Sequence, residues 1–204
     1  MKKNTLLFMC LIVIQSFAQE TKKESWQSGN YVKFDVQLRV YLVQPIQFGN
    51  HALSKAHEAR PGAGINMSFL NIQNFKIGGG YNFESYKIID KQMMGNFNYS
   101  NYSSIFGNVN YEIEVAKNIS FHPNIGIGYA FLRQKTAGVL HIQPQEGVEY
   151  RIGFVTDYKF NKTVSLFCGA NYIYLKYEIN TVPEYEKYFG NSQKLQLSIG
   201  IQIE

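Results

Sequence analysis

From Asn30 to the C-terminus, apolar and polar residues alternate in runs of roughly ten, each followed by a connector. The first run sets Val32, Phe34, Val36, Leu38, Val40 and Leu42 on one face and Lys33, Asp35, Gln37 and Arg39 on the other. Successive side chains of an extended chain point to opposite sides, so a period of two predicts a β-strand with one apolar face. The pattern returns with Ala63, Ile65, Met67 and Phe69; with Ile77, Tyr81 and Phe83; and with Ile105, Val109, Tyr111, Ile113 and Val115. It continues through Phe121, Ile125, Ile127, Tyr129 and Phe131, then Val148, Tyr150, Ile152 and Phe154. Residues 164–177 are apolar on both faces, which leaves their register open, whereas Leu195, Leu197, Ile199, Ile201 and Ile203 restore strict alternation.

Eight strands are therefore expected, joined near 43–60, 71–75, 87–101, 116–119, 134–147, 159–162 and 178–192. Odd connectors are long and even ones short. Asn74, Lys117-Asn118 and Asn161-Lys162 supply turn chemistry to the short ones, since Asn tolerates left-handed backbone angles. One end of the structure is thus trimmed and the other decorated. The expected fold is all-β: an eight-stranded antiparallel up-and-down transmembrane β-barrel with short periplasmic turns and longer external loops.

Alternation alone does not say which face points inward, and a soluble barrel with an apolar interior is the competing arrangement. Gly62, Gly64, Gly78, Gly80, Gly126, Gly128, Gly153 and Gly200 share the polar face, where small side chains suit a crowded lumen. Tyr81, Phe83, Tyr129, Phe131, Tyr150, Tyr172 and Tyr174 lie towards the long loops, and Phe34, Phe69 and Phe121 towards the turns. Aromatic girdles of this kind fit two membrane interfaces, so the apolar face is assigned to lipid. Lys33, Asp35, Arg39, Lys76, Glu84, Glu112, Glu114, Glu149, Arg151, Asp157 and Lys194 are then luminal. Enclosed charges must pair or stay hydrated, and the mixed signs favour a plugged polar core over a conducting channel.

The N-terminus carries an export pattern. Lys2 and Lys3 precede an apolar stretch from Leu6 to Ile14, and Ser16-Phe17-Ala18 places small residues for cleavage after Ala18. The expected organisation is a signal peptide over 1–18, a short segment over 19–29 and a barrel domain over 30–204. Cys10 lies within the apolar stretch without preceding small residues, so lipidation is not expected. Cleavage leaves Cys168 as the sole cysteine, which excludes an intramolecular disulfide and a Cys-based zinc site. The formal charge of +5 falls by two with the leader and is spread thinly, so nucleic acid is not an expected partner.

In these strand patterns, the leader and the connector asymmetry, the chain resembles the small eight-stranded outer-membrane β-barrels of the OmpX and OmpA-transmembrane-domain type. The resemblance spans 30–204 and implies residence in the outer membrane. Members often end in an aromatic residue, whereas Glu204 follows Ile203 here. Lipid A acylating and deacylating enzymes are also built on small barrels, so the resemblance by itself leaves catalysis open. No histidine among His51, His57, His122 and His141 is followed by Ser two residues on, as in the His-x-Ser deacylase pattern. The reverse spacing, Ser120 and His122, falls at the turn end beside Pro123, where packing near the periplasmic rim is the plainer reading. His51, His57 and Glu58 form no fixed metal-binding spacing, and a solvated loop is expected there. The Gly78-Gly79-Gly80 and Gly126-Ile127-Gly128 clusters lack the helix of a phosphate-binding loop.

No catalytic, cofactor or metal residues are therefore assigned. Met93, Met94, Phe97, Tyr99 and Tyr102 cluster in the second long loop, and Tyr185, Tyr188 and Phe189 interleave with charges in the fourth. Such clusters pack over the barrel mouth or extend the strands above the membrane, or else form a protein-binding surface; for the latter, Tyr185, Tyr188, Phe189, Met93, Met94 and Phe97 are the candidate partner-binding residues. The expected protein is a monomer surrounded by outer-membrane lipid, with an envelope-support or surface-binding role. A small pore or accessory transport component is the alternative, and a lipid-modifying enzyme the third.

Overall fold

The computed structural model describes residues 32–135, 144–161, 163–179 and 182–204. The expected leader, the segment 19–29 and His141 lie outside the described residues. The strands are β1 (Val32–Gln47), β2 (His57–Ala59), β3 (Gly62–Ile72), β4 (Phe75–Ile88), β5 (Tyr99–Tyr111), β6 (Ile113–Ala116), β7 (Ile119–Lys135), β8 (Gln145–Lys159), β9 (Val164–Glu178) and β10 (Asn191–Ile203). Every neighbouring pair is antiparallel, and β1 pairs with both β3 and β10, so the wall closes on itself. Eight strands make the barrel; β6 extends β5 past a break at Glu112, and β2 is a short addition to β4. Closure leaves no free edge, the condition for sheet to cross hydrocarbon. Among the described residues no helix is long and apolar enough to cross a membrane, which leaves crossing by strands open.

The apolar face points outward, as expected for a lipid-facing wall. Val40, Leu42, Ile65, Met67, Ile105, Ile125, Ile127, Ile152, Ile199 and Ile201 are all exposed. Phe34, Phe69, Phe75, Tyr111, Phe154, Tyr158 and Phe160 are exposed towards the turns, and Tyr81, Phe83, Tyr129 and Tyr150 towards the long connectors. Arg39, Lys76, Glu84, Glu149, Arg151, Asp157 and Lys194 are buried in the lumen. Lys33, Asp35 and Glu114 are exposed instead, contrary to expectation. They lie at the turn end, where a register shift between Phe34 and Gln37 and the separate β6 carry the chain past the filled lumen.

Glycine packing explains how so narrow a lumen holds aromatic rings. Tyr41 faces Gly64 on one neighbouring strand and Gly200 on the other, and Phe106 is likewise flanked by Gly80 and Gly128. A Cβ at Gly64 would stand 2.3 Å from the Tyr41 ring, and one at Gly80 would stand 2.6 Å from the Phe106 ring. Large and absent side chains thus alternate around the interior.

The strands run further towards the long connectors than the alternation predicts, because the pattern reverses there. Tyr86, Tyr102, Ala130, Leu132, Ile173, Leu175 and Tyr177 point inward and form an apolar cluster, while Lys87, Arg133, Lys135 and Lys176 point outward. Below this level the lumen is polar and the outside apolar. The reversal also sets the open register of 164–177: Phe167, Ile173, Leu175 and Tyr177 face in, and Leu166, Cys168 and Tyr172 face out. At the trimmed end, Gln73 rather than Asn74 takes the left-handed angle, with φ of 58°. Asn161 acts through its side chain, whose oxygen accepts from the Thr163 and Val164 amides at 2.8 Å.

Candidate binding surface at the external end

Three short helices occupy the long connectors: α1 (Ala52–Ala56), α2 (Lys91–Met94) and α3 (Pro183–Gly190). Ala52, Leu53 and Ala56 are buried, and Leu53 joins the apolar cluster under the mouth. The first connector is therefore a plug, not the solvated loop expected. An apolar Ala52-Leu53-x-x-Ala56 spacing was its only trace in the sequence. His51 holds α1 in place: its Nδ1 accepts from the Ser54 amide at 3.2 Å, and its Nε2 lies 2.8 Å from the Phe48 carbonyl. His57 Nε2 lies 2.8 Å from the Ser100 hydroxyl and its Nδ1 3.4 Å from the Ala52 carbonyl. Burial lowers the pKa of both rings, which favours the neutral forms these contacts use.

Above the plug, the candidate aromatic residues converge. Tyr188 and Phe189 pack edge to face at 5.0 Å, and Tyr185 stands 6.3 Å from Phe189. The Tyr188 hydroxyl reaches Met93 Sδ at 2.9 Å, joining the fourth connector to the second. Tyr185 is 53% exposed and Met93 41%, so the joint is presented to solvent. Met94 and Phe97 are half-buried beside it in sequence, with Phe97 lying over Gly95. Tyr99 and Tyr102 do not belong to this surface. Both sit in β5, where Tyr102 turns inward and its hydroxyl donates to Glu149.

The lumen beneath is bridged from wall to wall. Lys194 on β10 donates to Glu84 on β4 at 2.6 Å, and Gln196 and the Tyr86 hydroxyl donate to the same carboxylate. Lys194 also stands 3.4 Å from the centre of the Tyr102 ring. Arg151 pairs with Glu149 and lies over Phe106, while Asn82 sits between Tyr41, Arg151 and Gln196. Lower down, Lys76 at 2.8 Å and Lys159 at 3.2 Å share Glu112. The space left among Asn66, Asn108, Asn124 and Asn171 is a cavity of about 40 Å³, room for a few waters.

His122 forms a buried pair with Asp157, and Ser120 is directly opposite Asp157 on the neighbouring strand. They lie at the turn end, as expected, but are enclosed there instead of packing on the surface: Ser120, His122 and Asp157 are 2% exposed or less. His51 and His57 are occupied by backbone and hydroxyl contacts, and Glu58 points outward, so they do not converge. Among the described residues no cluster of three or more His, Cys, Asp or Glu is placed to hold a metal ion.

No family model and no curated protein sequence matches this chain. Solved structures do. Neisserial surface protein A is 18% identical with a TM-score of 0.55, covering 84% of this chain and 97% of that one. A major outer membrane protein from Thermus thermophilus is 12% identical with a TM-score of 0.55, over 83% and 99% of the two chains. The outer membrane protein OprG from Pseudomonas aeruginosa is 12% identical with a TM-score of 0.54, over 85% and 96%. At these identities the likeness is one of fold. With its apolar exterior and a wall architecture shared with these proteins, this chain has the fold of the small eight-stranded outer-membrane β-barrels.

Proposed function

We propose that the protein is a monomeric, non-catalytic barrel, exported by a leader over residues 1–18, whose external connectors bind a protein partner. The observation that carries this reading is the joint between two connectors, where Tyr188 meets Met93 beside Phe189 and an exposed Tyr185. Aromatic anchors ringed by charge concentrate binding energy, and here they stand on a rigid wall. The bridge between Glu84 and Lys194 across the lumen supports binding over conduction. The enclosure of Ser120 and the His122–Asp157 pair supports a non-catalytic role, because no substrate reaches them without opening the wall.

Replacing Tyr185, Tyr188 and Phe189 together by Ser tests the proposal. Crosslinking in intact outer membranes captures a partner with the parent protein and loses it with the variant, while both migrate differently on gels before and after boiling. Unchanged capture contradicts the reading. Loss of heat-modifiability assigns the cluster to folding instead.

A further inference from the structure

We propose that one flank of the barrel, centred on Tyr99, binds the phosphate-bearing headgroup of an outer-leaflet lipid. Strand register builds the site. Tyr99 on β5 lies directly between Lys87 on β4 and Lys135 on β7. The Arg60 guanidinium reaches across β4 to sit 5.0 Å from the centre of the Tyr99 ring. Its backbone amide donates to the Ser85 carbonyl at 3.0 Å, so the sheet fixes where the side chain starts. Arg133 lies two pairs further along, opposite Asn101 and on the same face as Lys135. Four cations therefore surround one exposed ring, with Glu58, opposite Lys87, as the single acid in these rows.

Among the described residues none of the four cations forms an ion pair. Like charges gathered on neighbouring strands repel, and a bound anion removes that cost. The next strands around the wall carry the opposite balance: Glu146 on β8, opposite Phe131 of β7, faces Glu178 on β9, with Lys176 two residues before Glu178. The charge is thus localised, not a uniform collar.

What lies next to the cations selects a lipid over a free anion. On the same strands and the same outward face, Phe83 precedes Lys87 by four residues and Phe131 precedes Arg133 by two. Below them the exposed Tyr81, Ile105 and Tyr129 continue the apolar wall. An occupant touching both zones has an anionic phosphate head and acyl chains. Arg and Lys suit phosphate through charge-assisted hydrogen bonds. This proposal is independent of the loop surface above.

The full chain in phosphatidylcholine nanodiscs doped with diphosphorylated lipid A provides the test, with lipid retention read by native mass spectrometry. The parent protein and a K176Q control on β9, outside the cluster, retain diphosphorylated lipid A above phosphatidylcholine. The R60Q/K87Q/K135Q variant loses about fivefold in retention per cation removed. Enzymatically dephosphorylated lipid A, offered to the parent protein, is retained no better than phosphatidylcholine, a comparison that needs no variant to fold. Equal retention of the dephosphorylated lipid, equal retention by the triple variant, or displacement by an equal concentration of inorganic phosphate would each overturn the proposal.

Discussion

Glu84 shows how a carboxylate survives inside a wall of lipid-facing strands. It is fully buried and accepts from Lys194, Gln196 and Tyr86, so both oxygens are satisfied. Removing one partner of such a pair strands the other charge, which costs about 3–5 kcal/mol. Glu84→Gln and Lys194→Met singly should each lower unfolding stability in detergent by about that amount, and the double variant should recover part of it. Additive losses in a urea titration would show that the two residues act separately. The mixed signs on the inward face announced that pairing was needed, but not which partners would meet. β4 and β10 are not neighbours in the sheet, and only the curvature of closure brings Glu84 to Lys194. His122 is similar: its spacing from Ser120 is visible in the chain, whereas Asp157 becomes its partner through the register of β7 and β8.

At the scale of elements, the middle of each strand was legible and its external end was not. Alternation marks a strand by the contrast between its faces, and that contrast changes sense where inward Tyr86, Leu132 and Leu175 replace charged residues. Residues 43–60 read as one loop, yet β1 continues to Gln47 and α1 then closes the mouth. The plug has a pH dependence. Burial lowers the pKa of His51 and His57 below 6.5, so the folded connector holds fewer protons than the unfolded one. Their contribution is complete above pH 6.5 and is lost as pH falls through the lowered folded values. Protonation of Nδ1 in His51 removes the acceptor for the Ser54 amide. Hydrogen exchange at Ser54 and Lys55, corrected for intrinsic rates, should therefore speed up on acidification while Ile127 in β7 stays protected. A His51→Asn variant, which keeps a capping side chain without the titration, should flatten much of the response. Identical pH profiles for the two proteins would assign the effect elsewhere.

The molecule as a whole reads as two stacked environments on one closed wall. The lower part has a polar, bridged lumen and an apolar exterior; the upper part has an apolar plug and a charged exterior. Strands that cross a bilayer need about 9–11 residues, and β7 has 17, so the excess carries the connectors clear of the lipid. This division gives the candidate surface a firm base, since Tyr188 and Met93 stand above a packed cluster rather than above an open pore. Everything rests on which face of the wall meets acyl chains. The chain has one tryptophan, Trp26, outside the described strands, so its replacement by Phe leaves a silent background. In that background, Ile127→Trp and Phe106→Trp place single probes on the outward and inward faces, and both variants are reconstituted into bilayers with brominated acyl chains. Strong quenching is expected at position 127 and little at 106; strong quenching at 106 with little at 127 would put the polar face against the acyl chains.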